Sequence, residues 1–192
     1  MRKINYILGG NLNEKNLGSV LGLYPTPVTV VGAMAGEKPN WLLVAHVGII
    51  GHDRILISCS KQHYTNQFIK ETGKVSVNLV DEALLSKADY VGCVSGSKED
   101  KSGVFKYELG EAGAPIILES PLVMECSVVD NYETDTFDNF ILKIDNTYAE
   151  EAVIGADGKL NYEELKPVLF EMPTYKYLAT GKVLGNCMKL DK

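Results

Sequence analysis

The stretch from Pro39 to Gly73, PNWLLVAHVGIIGHDRILISCSKQHYTNQFIKETG, places two apolar strands, a charged turn and a helix start in one run. From Trp41 to Ile50 every residue is apolar or small except His46, the pattern of a strand buried on both faces or set in a closed barrel. Gly51-His52-Asp53-Arg54 then supplies turn chemistry and Ile55 to Cys59 resumes the apolar run, so the spacing predicts a β-hairpin. After Cys59 the period changes. Ser60 stands at a helix-capping position, Tyr64 and Phe68 are four apart, and Gly73 stands where a left-handed C-cap belongs.

Ser60, Lys61 and Thr65 therefore cluster at a predicted helix N-terminus. Free backbone N–H groups, the positive end of the helix dipole, a hydroxyl and an ammonium together suit a phosphate. The same residues also read as a capping serine followed by a solvated lysine, and both readings fit this segment taken alone.

Outward from this stretch, Tyr24-Pro25-Thr26-Pro27 stiffens the entry to a strand over Val28–Met34, and residues 36–39 turn the chain back. Asn40 sits at the strand mouth, where its amide either meets a ligand or closes the turn. Downstream, alternation predicts a strand over Lys74–Val80, a short helix over Leu84–Tyr90, and a small-residue loop, Tyr90–Gly96, ahead of the charged run Ser97-Lys98-Glu99-Asp100-Lys101. That loop lacks Walker spacing, and a charge run of this kind ordinarily marks a solvated face. The connection Ser102–Pro121 is too long and irregular for a hairpin and is expected to cross the outside of a barrel. Leu122–Thr134 and Phe137–Asn146 read as two long antiparallel strands that wrap the sheet closed. Ala156–Lys159 is a D-G turn, followed by a helical turn over Tyr162–Leu165. The fold class is mainly β with short helices, a β-barrel.

Composition bounds the function. A chain of 192 residues, 45% hydrophobic and 23% charged, suits one domain over 23–192, with 1–22 an arm of weak periodicity. A net charge of −6 argues against a nucleic-acid partner, which needs a basic footprint, and against an anionic membrane surface. A small molecule is the better expectation. The four cysteines, Cys59, Cys93, Cys126 and Cys187, show neither C-x-x-C pairing nor metal-ligand spacing, so they fit a reduced cytoplasmic protein in which no metal is bound. No leader-like or membrane-spanning run is evident. Neither a G-x-G-x-x-G, an H-E-x-x-H nor a nucleophile elbow occurs, which sets aside a Rossmann site, hydrolysis and metal-assisted chemistry.

The order YPTPV (24–28), KPN (38–40), a small-residue strand, S-K-x-x-Y-T (60–65) and DYVGxVSG-x-x-x-DK (89–101) resembles the flavoredoxin-like group of the flavin reductase family, over residues from about Leu23 to about Gly185. The resemblance implies a Greek-key FMN-binding split barrel and an oxidoreductase whose chemistry resides in the cofactor, so no catalytic side chain is expected. FMN would be reduced by NADH or NADPH lying on its open face, with a redox protein as a possible partner and a homodimer as the assembly. Carried over by position, Asn40 approaches the flavin, Ala45, His46 and Val47 present backbone to its edge, and Ser58, Ser60, Lys61, Tyr64 and Thr65 surround its tail. Ser95 and Lys101 join them, Lys101 at the phosphate with Lys98 as competitor, and Phe137 and Phe170 approach the ring.

Two positions depart from the pattern. His46 stands where relatives carry tryptophan: its imidazole either stacks near the ring or lies buried and neutral in the wall. Phe137 stands where they often have histidine, and is either an aromatic lid or plain core. The departures leave room for an alternative on the same barrel, a flavin-binding protein used for storage or sensing without turnover.

Overall fold

Alternation along the strands decides the architecture. The computed structural model describes residues 15–190, so most of the arm proposed for 1–22 lies outside the described residues; its remainder, from Lys15, has no regular structure. The chain enters at β1 (Thr26–Pro27) and continues through β2 (Thr29–Ala35), β3 (Lys38–Val44), β4 (Val47–Ile49) and β5 (Arg54–Ser60). Helix α1 (Thr65–Thr72) leads to β6 (Lys74–Leu79), and α2 (Leu85–Cys93) to the short strands β7 (Tyr107–Leu109) and β8 (Pro115–Ile117). The long strands β9 (Leu122–Glu133) and β10 (Phe137–Ala149) follow, then α3 (Tyr162–Leu165), β11 (Leu169–Glu171) and β12 (Lys176–Leu178).

Seven strands form one sheet in the spatial order β3-β2-β6-β9-β10-β5-β4, with every pairing antiparallel. One face of each strand points into a common interior: Val31 and Ala33, Leu42 and Val44, Ile55, Ile57 and Cys59, Val75 and Val77, Phe140 and Leu142. Burying each such aliphatic side chain is worth roughly 1.5–3 kcal/mol, so the interior is the main stabilising term. The opposite face of β2 and β3 is covered as well. Val30, Trp41, Val91, Phe105 and Ile117 make a second apolar layer beneath α2 and the β7–β8 hairpin, and Trp41 meets Phe105 edge-on at 5.5 Å. This double burial is why residues 28–35 and 41–44 read as nearly unbroken apolar sequence on either side of the turn. Register shifts in the β9–β10 ladder at Ile141/Leu142 and Ile144/Asn146 bend the two longest strands, as bulges do, and curl the sheet.

The expected strand over Trp41–Ile50 is in fact two. β3 and β4 are consecutive in the chain but occupy opposite edges of the sheet, so Ala45 and His46 leave the ladder to cross the seam. The helix expected from Ser60 begins at Thr65, because Ser60 stays paired with Phe137 and the Lys61 N–H donates to the Thr136 carbonyl at 2.9 Å. The C-cap expectation holds: Gly73 has φ +63° and its N–H bonds the Ile69 carbonyl. Helix α2 runs through Cys93, so the first residues of the supposed loop Tyr90–Gly96 are helical.

The connection Ser102–Pro121 does contain a hairpin, β7–β8. Its turn is organised from afar by the buried Glu125 carboxylate, which accepts the N–H groups of Ala112 and Ala114 at 2.9 and 3.0 Å. No helix among the described residues is long and apolar enough to cross a membrane.

Candidate functional site

The seam between β3 and β4 opens onto a cavity of about 580 Å³, within the roughly 300–1,000 Å³ range of small-molecule pockets. Its walls are largely apolar. Val28, Leu43 and Val44 come from the first strands, Phe137 from β10, and Phe170, Met172, Tyr175 and Tyr177 from the β11–β12 hairpin. Polar groups are few and come from His46, Ser58, Ser60, His63, Asp89 and Cys93. Because Ala45 and His46 lie outside the strand ladders, their N–H groups have no backbone partner among the described residues, whereas the His46 carbonyl accepts from the Ser58 N–H at 2.9 Å.

On the other side of the Ser60–Thr65 turn lies a smaller polar recess of about 310 Å³, lined by Lys38, Asn40, Tyr64 and residues 96–101. Gly96 is required here, since a Cβ at that position would overlap the Asn40 side chain. His63, on the cavity side, is held below the ordinary imidazole range, first by burial and then by the Lys101 ammonium.

Of the residues singled out in the sequence, Ala45, His46, Ser58, Ser60, Phe137 and Phe170 line the larger cavity, and Asn40, Tyr64 and Lys101 line the recess. Four do not reach either wall. The half-buried Val47 packs against the barrel interior. Lys61 pairs with Glu133 at 3.1 Å. Buried Thr65 accepts the Asn40 amide N–H at 2.7 Å, and Ser95, in the loop after α2, shares a hydrogen bond with Ser97 at 2.9 Å. Ser60 is not a helix cap; its Oγ accepts the Gln62 N–H at 3.4 Å within the turn.

Lys101 is only 3% exposed. Its ammonium donates to the carbonyls of Val91 and Val94 at 2.9 and 3.0 Å, closing the C-terminal end of α2, and burial lowers its pKa against the opposing pull of Glu99. A lysine carries three donors, so one remains for a ligand. Lys98, the competitor, is exposed on the rim of the same recess.

His46 is neither stacked flat nor sealed away. Its Nε2 lies 2.7 Å from the Tyr24 hydroxyl, and its ring centroid lies 6.0 Å from that of Phe137, tilted by 50°. Phe137 thus forms cavity wall, half-buried and paired in the sheet with Ser60.

Sequence reasoning passed over His63, Asp89, Met172 and Tyr177 as site residues. Tyr177 donates to the Asp89 carboxylate at 2.6 Å; burial first, then that bond, raises its pKa. It packs on Phe170 of its own chain at 5.6 Å, so the closing YKYL segment supplies a cavity wall. The only hint of this was the aromatic spacing in that segment. Asp89 stood within the quoted DYVG motif, but nothing local showed that its helix faces the cavity.

An apolar slot lined by Ala45 and His46 lies beside a polar recess that carries Lys38, Lys98 and Lys101 together with Glu99 and Asp100, and slot and recess suit a planar ring with a polar tail. Comparison with known proteins shows the family and the fold. The chain belongs to the family described by the flavin reductase like domain, whose model matches residues 21–172, and membership carries a flavin-linked oxidoreductase function. It is similar to the flavoredoxin of Methanosarcina acetivorans, with 34% identity, a TM-score of 0.88 and coverage of 94% of this chain and 98% of that one. It is also similar to the flavoredoxin of Desulfovibrio vulgaris (Miyazaki F), at 30% identity, a TM-score of 0.86 and coverage of 93% and 100%. An FMN-binding protein from Thermus thermophilus, solved with bound 1-cyclohex-2-enone, shares the fold at 18% identity and a TM-score of 0.75, over 93% of this chain and all of that one, 100%. An uncharacterised protein of Aeropyrum pernix is 26% identical over 157 residues, 77% of this chain but 58% of the relative, so the chain spans less than two thirds of that relative's length. The fold is therefore the mainly β split barrel of flavoredoxin-like proteins.

Proposed function

We propose that this protein holds FMN with its ring in the larger cavity and its phosphate in the polar recess, takes electrons from NADH or NADPH, and passes them to a small acceptor or a redox-protein partner. The observation that carries the reading is the juxtaposition of the 580 Å³ cavity, lined by Ala45 and His46, whose N–H groups have no backbone partner among the described residues, with the recess containing Lys98 and Lys101. Those N–H groups would donate to the heteroatoms along the ring edge, and they are already fixed in place by the strands on either side. Asn40, Tyr64, Lys98 and the remaining Lys101 donor would receive the phosphate. Thr65 would act by holding Asn40, and Phe137 and Phe170 would exclude water from the ring. Bound there, FMN supplies the reversible hydride and electron chemistry that these side chains lack.

Assembly as a homodimer is supported by the large apolar residues that the terminal segments leave uncovered, among them Leu23 at 81% and Leu184 at 86% exposure. A reducing, cytoplasmic setting is supported by the free state of Cys59, Cys93, Cys126 and Cys187.

The test is a spectrum and a titration. The purified protein is expected to be yellow, or to become so with FMN, and to bleach anaerobically with NADH or NADPH. A protein that stays colourless when FMN is added overturns the flavin reading. One that binds FMN but is bleached by neither nicotinamide is a storage or sensing protein instead.

A further inference from the structure

His46 and Tyr24 form a polar pair in an otherwise apolar part of the cavity wall. The Tyr24 hydroxyl lies 2.7 Å from His46 Nε2 and 3.6 Å from the Met172 sulfur. A phenol is a stronger acid than an imidazole N–H, and an imidazole nitrogen a stronger acceptor than a thioether, so the hydroxyl proton goes to Nε2. In the neutral imidazole, an Nε2 that accepts leaves the proton on Nδ1. Tyr24 therefore sets the tautomer, and Nδ1–H makes no hydrogen bond among the described residues.

The backbone beneath is fixed too, since the His46 carbonyl accepts from Ser58 N–H at 2.9 Å, and Phe137 stands 6.0 Å from the ring. Two other polar side chains of this cavity are already paired, while the His63 ring, like His46 Nδ1, makes no hydrogen bond among the described residues. Ser58 Oγ donates to Asn139 at 2.7 Å, and Asp89 is taken by Tyr177. His46 Nδ1–H is thus a pre-oriented donor without an acceptor.

We infer that His46, oriented by Tyr24, is a specificity-determining residue that recognises a planar ring bearing a carbonyl oxygen, the second ligand of the cavity. The inference rests on the flavin reading, in which the peptide N–H groups of Ala45 and His46 face the flavin while the imidazole is left for this second molecule. The shared chemistry is a ring-attached C=O. It has two possible sources, the carboxamide of the nicotinamide donor and the carbonyl of an electron acceptor. Tyr24 is a positioning residue, acting through His46.

The test is calorimetric titration with benzamide, benzaldehyde and toluene, on protein saturated with FMN, or on the purified protein if no FMN is taken up. The FMN dissociation constant and melting temperature are measured in parallel for wild type and for Tyr24→Phe. Wild type is expected to bind an oxygen-bearing ring more tightly than toluene. Tyr24→Phe and His46→Phe should each weaken that binding by about tenfold, the effect of one lost hydrogen bond. His46→Gln, which keeps an N–H donor, should recover most of it. Tyr24→Phe should leave FMN affinity and melting temperature unmoved, which separates positioning from a structural role. A benzamide effect, with a matching rise in KM for NADH, assigns the site to the donor; an effect confined to benzaldehyde assigns it to an acceptor. Equal affinity in wild type and both phenylalanine variants, or toluene bound as tightly as the oxygen-bearing rings, overturns the inference. A colourless protein that still binds benzaldehyde through His46 refutes the flavin reading alone.

Discussion

The Asn40 amide donates to the Thr65 hydroxyl at 2.7 Å, with the two side chains 6% and 1% exposed. One bond thereby ties the mouth of β3 to the first residue of α1. Thr65→Ala would leave a buried amide without its partner, at a cost of about 1–3 kcal/mol, whereas Thr65→Ser would keep the bond. Urea denaturation of the two variants checks this, and equal stability of Thr65→Ala and wild type would contradict it.

Lys101 has two duties to separate. Lys101→Gln should weaken FMN by tenfold or more while changing riboflavin affinity much less, since only FMN carries the phosphate that a charged donor favours by about 1.5–3 kcal/mol. Lys98→Ala serves as the comparison. Fluorescence titration with both flavins measures the difference, and parallel losses for FMN and riboflavin would place Lys101's role solely at the end of α2.

Glu125 contributes to acid sensitivity. Burial pushes its pKa up, but hydrogen bonds from Asn146, the Ala112 and Ala114 N–H groups and Tyr148 outweigh it and hold the carboxyl below its ordinary value of 4.5. With a depressed folded-state pKa, the stabilisation is complete above about pH 4.5 and is lost as pH falls through the folded value. Glu125→Ala would strand four donors, at a cost of about 3 kcal/mol or more at neutral pH. It should also flatten the decline in stability below pH 4.5. Melting temperatures of both proteins across that window decide the matter.

Burial pushes Cys59 and Cys126 each up to about 12, while Cys93 and Cys187 are exposed. An aromatic disulfide reagent should therefore titrate Cys93 and Cys187 quickly in the native protein, and all 4 cysteines only after unfolding. Because Cys93 lines the cavity, FMN should slow its reaction and leave that of Cys187 unchanged.

Strand periodicity made the barrel legible. Val31, Leu42, Ile57 and Phe140 alternate with residues facing outward, and the ladder does the rest. Where interactions reach across the chain, local reading failed. Ser60 looked like a cap because its pairing with Phe137 cannot be seen from residues 58–66, and the β7–β8 turn depends on Glu125, more than ten residues downstream. At the site, the resemblance located the walls, yet Tyr24 came to His46, and Tyr177 to Asp89, only through the tertiary fold.

Two residues bridge the opposite margins of a seven-stranded sheet, and that economy separates two properties that proteins usually trade against each other. The hydrophobic interior is built from side chains on the ladders and on α1, none of them at Ala45 or His46. Lengthening or shortening that bridge would resize the aperture through which a guest enters while leaving the barrel's cohesion intact. Substrate range can thus drift in such a protein with little penalty in folding.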